Sequence, residues 1–176
     1  MLMIDDNWQD TALSLFQKII PISMAVIVVL CGYLPIYMGI FNNIRPDMGL
    51  VAIYFWMLHR SDLFDLKSVV LLGLIDGSLT SSAFGLGLFA YLVMYLLMIN
   101  LRKFLAGKSF VVIWYGYMAL SLITIFLKWL VADIYYAQFL PIGPLIFSYL
   151  IGAAAYPVIS MVFALIQNSF LQDDEL

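Results

Sequence analysis

SFVVIWYGYMALSLITIFL, residues 109–127, runs for 19 positions without a charge. At about 1.5 Å per residue such a helix reaches about 28 Å, close to the roughly 30 Å hydrocarbon thickness of a bilayer. Residues 83–99 and 142–166 repeat the pattern. Over all 176 residues, 65% are hydrophobic, 11% are charged and the mean hydropathy is +1.04. Soluble chains average roughly 45–50% apolar and about 25% charged, so no aqueous core holds this much apolar surface and lipid is its solvent.

Outward from that stretch the sequence predicts an all-α integral membrane protein with six crossings. Residues 19–41 form the first and 48–58 a short second, which borrows Ile44 and His59 while Arg45 and Arg60 reach toward opposite interfaces. The third, 68–75, meets Asp76 and a small polar run over 77–83 that breaks its outer half. Residues 83–99, 109–127 and 142–166 complete the set. Three parts follow: an N-terminal cytoplasmic or interfacial segment (1–18), a six-helix transmembrane domain (19–167) and an acidic cytoplasmic tail (168–176). Asp5, Asp6 and Asp10 exclude a signal peptide at the start. There Trp8, Ala12, Leu15, Phe16 and Ile19 recur at helical spacing, fitting either an interfacial amphipathic helix or an extension of the first crossing.

With the N-terminus inside, Lys18, Arg60, Lys67, Arg102, Lys103 and Lys108 are cytoplasmic while Arg45 and Lys128 are outside. The positive-inside rule therefore puts both termini in the cytoplasm. A single cysteine, Cys31, and a single histidine, His59, leave no disulfide and no all-histidine metal site. With a net charge of −3 the chain lacks the basic footprint of a nucleic-acid binder. No paired carboxylates share a crossing, and Ser81 and Ser82 beside Asp76 lack an embedded base, so no enzyme, metal or cofactor is expected.

Asp76 is the acid deepest in a predicted crossing, where an unpaired charge costs about 2.5–3.5 kcal/mol. Three readings offset that cost: an ion pair with Arg45 that pins the second crossing to the third, a protonated or water-facing group at a broken helix, or a proton or ion path. Gly77, Ser81 and Gly85, and Ser148, Gly152 and Ala155, make small-residue stripes for close helix packing. Pro157 is expected to kink the last crossing, whereas Pro21, Pro35 and Pro141 mark boundaries. Trp56, Trp114, Trp129, Tyr135 and Tyr136 are assigned to the interfaces, and the outer connection 128–140 presents aromatic surface, Phe139 included, that suits a partner. Ten methionines read as core gap-filling.

Arg45-Pro46-Asp47, an apolar run ending in Tyr54-Phe55-Trp56, the turn at His59-Arg60, then Gly73-Leu74-Ile75-Asp76 and Phe84-Gly85 follow one another in an order and spacing that resembles the MreD family of bacterial rod-shape-determining membrane proteins. Pro35 and the size fit as well. Ser61 and Ala83 stand where prolines are common in that family. The resemblance is specific over 35–95, about a third of the chain. It implies a non-enzymatic inner-membrane subunit of the elongation machinery for lateral peptidoglycan synthesis. The implied partners are MreC, the MreB filament, and a SEDS-type glycosyltransferase with its penicillin-binding transpeptidase. It also implies an architecture similar to the six-helix substrate-binding components of energy-coupling transporters. A small-molecule-binding subunit of such a transporter is the rival function. On this reading Arg45, Pro46, Asp47, Trp56, Gly73, Asp76 and Gly85 shape the bundle or its partner face, and Arg102, Lys103 and Lys108 attract anionic lipid or a cytoplasmic partner.

Overall fold

A computed structural model describes residues 6–33, 46–80 and 85–170, with the backbone alone for 6–18 and 170. The described residues form six helices and no strand: α1 (Asp6–Gly32), α2 (Met48–His59), α3 (Leu66–Leu79), α4 (Leu86–Leu105), α5 (Phe110–Tyr136) and α6 (Ile142–Phe170). α1 packs on α2 and α3, α3 on α4, α4 on α2 and α5, and α6 on α5 and α2.

α4, α5 and α6 are long and apolar enough to cross a membrane, so this is an all-α membrane protein. Among the described residues three helices meet that length, fewer than the six crossings expected from the sequence. α2 has 12 residues, about 18 Å, and α3 has 14, about 21 Å, both short of the roughly 30 Å core. α2 tolerates this because it touches protein on every side: each residue from Gly49 to Met57 is buried. A helix apolar all round with no preferred face belongs inside a bundle.

α1 runs unbroken from Asp6, so residues 6–18 continue the first apolar helix. It buries Pro21, Ala25 and Val29, four apart, and exposes Ile19 and Ile27. α1 ends at Gly32; a glycine followed three residues later by Pro35 is a helix-stop pattern. Residues 34–45, with Pro35 and Arg45, lie outside the described residues, as do Ser81, Ser82 and Ala83.

α4 begins later than predicted because Gly85 takes φ 105° at its N-cap, a left-handed backbone that glycine adopts without Cβ strain. α5 continues past 127 to Tyr136, taking Lys128 and Trp129 into the helix rather than into a loop. Only 137–141 connects α5 to α6. Trp129 Nε1 donates to Leu140 O at 3.2 Å and Leu140 N to Asp133 Oδ1 at 2.9 Å, which folds that corner back while Phe139 stays 97% exposed.

The core between α2, α5 and α6 is aromatic. Tyr54 meets Tyr117 and Tyr156 edge-on at 5.4 and 5.6 Å, and Tyr117 stacks on Tyr156 at 4.6 Å. The Tyr54 hydroxyl donates to Ile113 O at 2.8 Å, which supplies the partner a buried phenol needs. Trp56, expected at an interface, is instead fully buried against Phe55 and Phe163, because the helix that carries it has no lipid-facing side. Pro157 removes the amide that would bond Ala153 O, and the Trp114 Nε1–H donates to that carbonyl at 2.9 Å instead.

α3 and α4 approach closely at Gly73, one turn before Gly77 of the first stripe: a Cβ at Gly73 would sit 2.7 Å from the Leu88 Cα, a backbone atom that cannot rotate away. Gly152 of the second stripe makes the looser equivalent on α5, 3.3 Å from the Tyr117 hydroxyl. Gly73→Ala gains helix propensity of at most about 1 kcal/mol but overpacks a helix crossing at about 1–3 kcal/mol. We expect a net loss near 1 kcal/mol, read as a lowered Tm in detergent. Gly143→Ala, with open space around its Cα, is expected to hold or raise the Tm.

Candidate functional site

At one end of the bundle five helices deliver polar groups to one place. Asp47 caps α2 by position, yet its side chain makes no capping bond. It turns to α5, where Lys128 Nζ forms an ion pair with its Oδ2. The carboxylate is 12% exposed and the lysine side chain 26%, so this pair is largely withdrawn from solvent. It is also the answer to how α5 keeps a cation within an apolar helix.

Asp76 lies in the last turns of α3 and is buried. Tyr33, one residue past α1, donates its hydroxyl to Asp76 Oδ1 at 2.7 Å. Thr80 Oγ1 donates to the Asp76 backbone oxygen at 2.8 Å and touches the Tyr33 hydroxyl. Two glycines make room. A Cβ at Gly87 would collide with Asp76 Oδ2, and a Cβ at Gly49 with the Tyr91 hydroxyl. Tyr33, Asp47, Asp76, Thr80, Tyr91 and Lys128 line one cavity of about 70 Å³. A water needs about 10–15 Å³ of such space, so a few waters or a small ion fit and a drug-sized molecule does not.

The cluster is a clasp between helices. It ties α2 to α5 and α1 to α3 through charge-assisted hydrogen bonds, the strong kind in a low-dielectric setting. Among the described residues no group of three or more His, Cys, Asp or Glu gathers to hold a metal. Of the residues singled out from sequence, Asp47 and Asp76 meet at this cavity with Pro46 beside them. Gly73 sets the α3–α4 distance, Gly85 starts α4 and Trp56 fills the core. The proposed Arg45 pairing falls outside the described residues. Among the described residues Tyr33 donates to Asp76, whose side chain is buried and lines the small cavity.

Lys128, Tyr33, Thr80 and Tyr91 escaped sequence reading. The signal for Lys128 was present: it has apolar residues on both sides, Ile125 to Leu127 and Trp129 to Val131, which is the pattern of a lysine inside a helix rather than after one. Tyr91 stands one turn after Gly87 and so shares its face of α4.

The opposite end carries the basic connections. Arg102 donates to Ser61 Oγ and so braces the α2–α3 turn, and Arg60 lies 3.4 Å from Asp62. Lys103 and Lys108 are exposed, with the Lys108 ammonium 5.6 Å from the centroid of the Phe104 ring. The three cations grouped in the sequence thus divide into one brace and two outward-facing charges.

Lys128→Met leaves the Asp47 carboxylate without its cation. We expect a loss of about 2 kcal/mol, below the roughly 3–5 kcal/mol of fully buried pairs because this one is part-exposed. Adding Asp47→Asn removes the stranded charge, and most of the loss should return. Thermal unfolding of the two single variants and the double variant measures the coupling, and a double variant no more stable than Lys128→Met alone would show that the pair is not the clasp.

Comparison with protein-family models, with curated proteins and with solved structures finds no match for this chain.

Proposed function

We propose that this chain is a non-enzymatic, MreD-like scaffold subunit of a bacterial inner membrane. In this reading it crosses the membrane six times with both termini in the cytoplasm, α2 and α3 completing their short passages through flanking residues. It supports rod shape and lateral peptidoglycan synthesis by docking in the bilayer with MreC and with a SEDS-type glycosyltransferase paired with a penicillin-binding transpeptidase, and it engages MreB directly or through the complex. The observation that carries the proposal is the use made of the motif residues. Asp47 and Asp76, which end the Arg-Pro-Asp and Gly-Leu-Ile-Asp motifs, join side chains from other helices instead of lining an open path. A protein whose buried charges clamp its own helices offers neighbours a fixed shape.

The surfaces left for docking are lateral. α5 exposes Tyr115, Leu122 and Phe126 and, in its last turn, Ile134 and Tyr135, and the corner after it exposes Phe139. Exposed aromatics at the end of a membrane helix suit a single-span partner that continues into the aqueous space. The rival transporter role, with a ligand seated at Asp76, is less well supported, since about 70 Å³ is well below the roughly 300–1,000 Å³ of small-molecule sites.

Depletion of the protein in its rod-shaped host should round the cells, and the tagged chain should co-purify with a single-span partner. Asp76→Lys should lower its membrane level and copy the depletion. Normal rods and normal levels with Asp76→Lys, or solute uptake by the purified chain alone in vesicles, would refute the proposal.

A further inference from the structure

A second cavity lies on the flank of the bundle near the basic end, between α2, α5 and α6, with a volume of about 460 Å³. Its floor is buried: Phe55 and Tyr156 are 1% exposed and Ser160 is 5%. Its rim is open, with Phe110 and Met161 exposed and His59 at one end. On α6 the small side chains of Ser160 and Ala164 and the Pro157 ring leave the recess unfilled. The lining has few polar groups, and two of them are already engaged. Ser160 Oγ donates to Pro157 O at 3.0 Å, and His59 Nδ1 donates to Phe55 O at 3.0 Å while its ring stacks on Phe55.

We propose that this recess is a lipid site that takes one acyl chain of an anionic phospholipid, with the headgroup phosphate near His59 and Lys108. The inference rests on the chain's being a membrane protein and is independent of the scaffold role. An apolar recess open to a bilayer neither holds water well nor stays empty without forfeiting dispersion contacts along its walls. Hydrocarbon is the solvent at hand. The volume suits a chain rather than a protein segment, because a helix 10–12 Å across would fit barely one turn in it. The headgroup preference comes from charge. His59 lines the recess with Nε2 uncommitted by the Phe55 bond, and Lys108 is exposed two residues before Phe110, which forms the recess wall. Lys103 and Arg102 end α4 at the same side. Such basic residues beside a bilayer face attract anionic headgroups.

Native mass spectrometry of the full-length protein, released from detergent with phosphatidylglycerol or phosphatidylcholine added, tests this. The wild type should retain phosphatidylglycerol in preference to phosphatidylcholine, and phosphatidylglycerol should raise its Tm. Ala164→Trp fills the recess and should abolish both effects, with Ser160→Leu as the second filling variant if the first does not fold. Val158→Trp, on the exposed side of α6 and outside the recess, should leave both intact. Lys108→Gln should keep lipid bound but cut the preference for phosphatidylglycerol about fivefold, the effect of one cation near an anionic surface. Equal retention of the two lipids by the wild type, undiminished phosphatidylglycerol in both filling variants, or a dimer that the filling variants dissolve would each overturn the proposal.

Discussion

A carboxylate taken out of water must find a donor or a cation, and the arrangement of this bundle follows from how Asp47 and Asp76 meet that demand. Asp47 finds Lys128 on α5, 81 residues away, and Asp76 finds Tyr33 beyond α1. The first contact needs α2 and α5 in place and the second needs α1 and α3, while Gly49 and Gly87 of α2 and α4 must leave the space. In hydrocarbon, helices gain little from hiding apolar surface from one another, because lipid tails are equally apolar. Polar contacts and close backbone packing therefore specify which helices meet. The aromatic knot of Tyr54, Tyr117 and Tyr156 supplies the packing side of that specification deeper in the bundle.

The long apolar runs were readable directly, since a helix that meets lipid must be apolar for its full length. α4, α5 and α6 fell where those runs lie. The break near Asp76 was also readable, because α3 does end at Leu79 with Thr80 as its cap. What resisted reading was long-range. The apolar residues on both sides of Lys128 suit a place inside the helix, but the partner that keeps it there stands 81 positions earlier, and no local pattern names it. Trp56 looked like an interface residue because tryptophans gather there. Its place in a helix enclosed by protein depends on contacts with α6 that no local pattern encodes.

The short central helix separates two meanings of a hydrophobic segment. α4, α5 and α6 show exposed Leu, Ile and Phe along their outer sides, as lipid-facing helices do. α2 shows none and is held on all sides by its neighbours. Its composition is the same as theirs, but its surroundings are protein. Twelve residues are enough because length is required only where a helix must carry its own backbone polar groups across lipid.

The Trp114 bond to the carbonyl freed by Pro157 has a mechanical consequence. Sliding α5 along α6 by even one residue would strand an indole N–H and a peptide oxygen together in an apolar medium, so this hairpin resists axial shear. Any rearrangement of the bundle would therefore carry α5 and α6 as a single stiff lever, pivoting against the other helices rather than telescoping within itself.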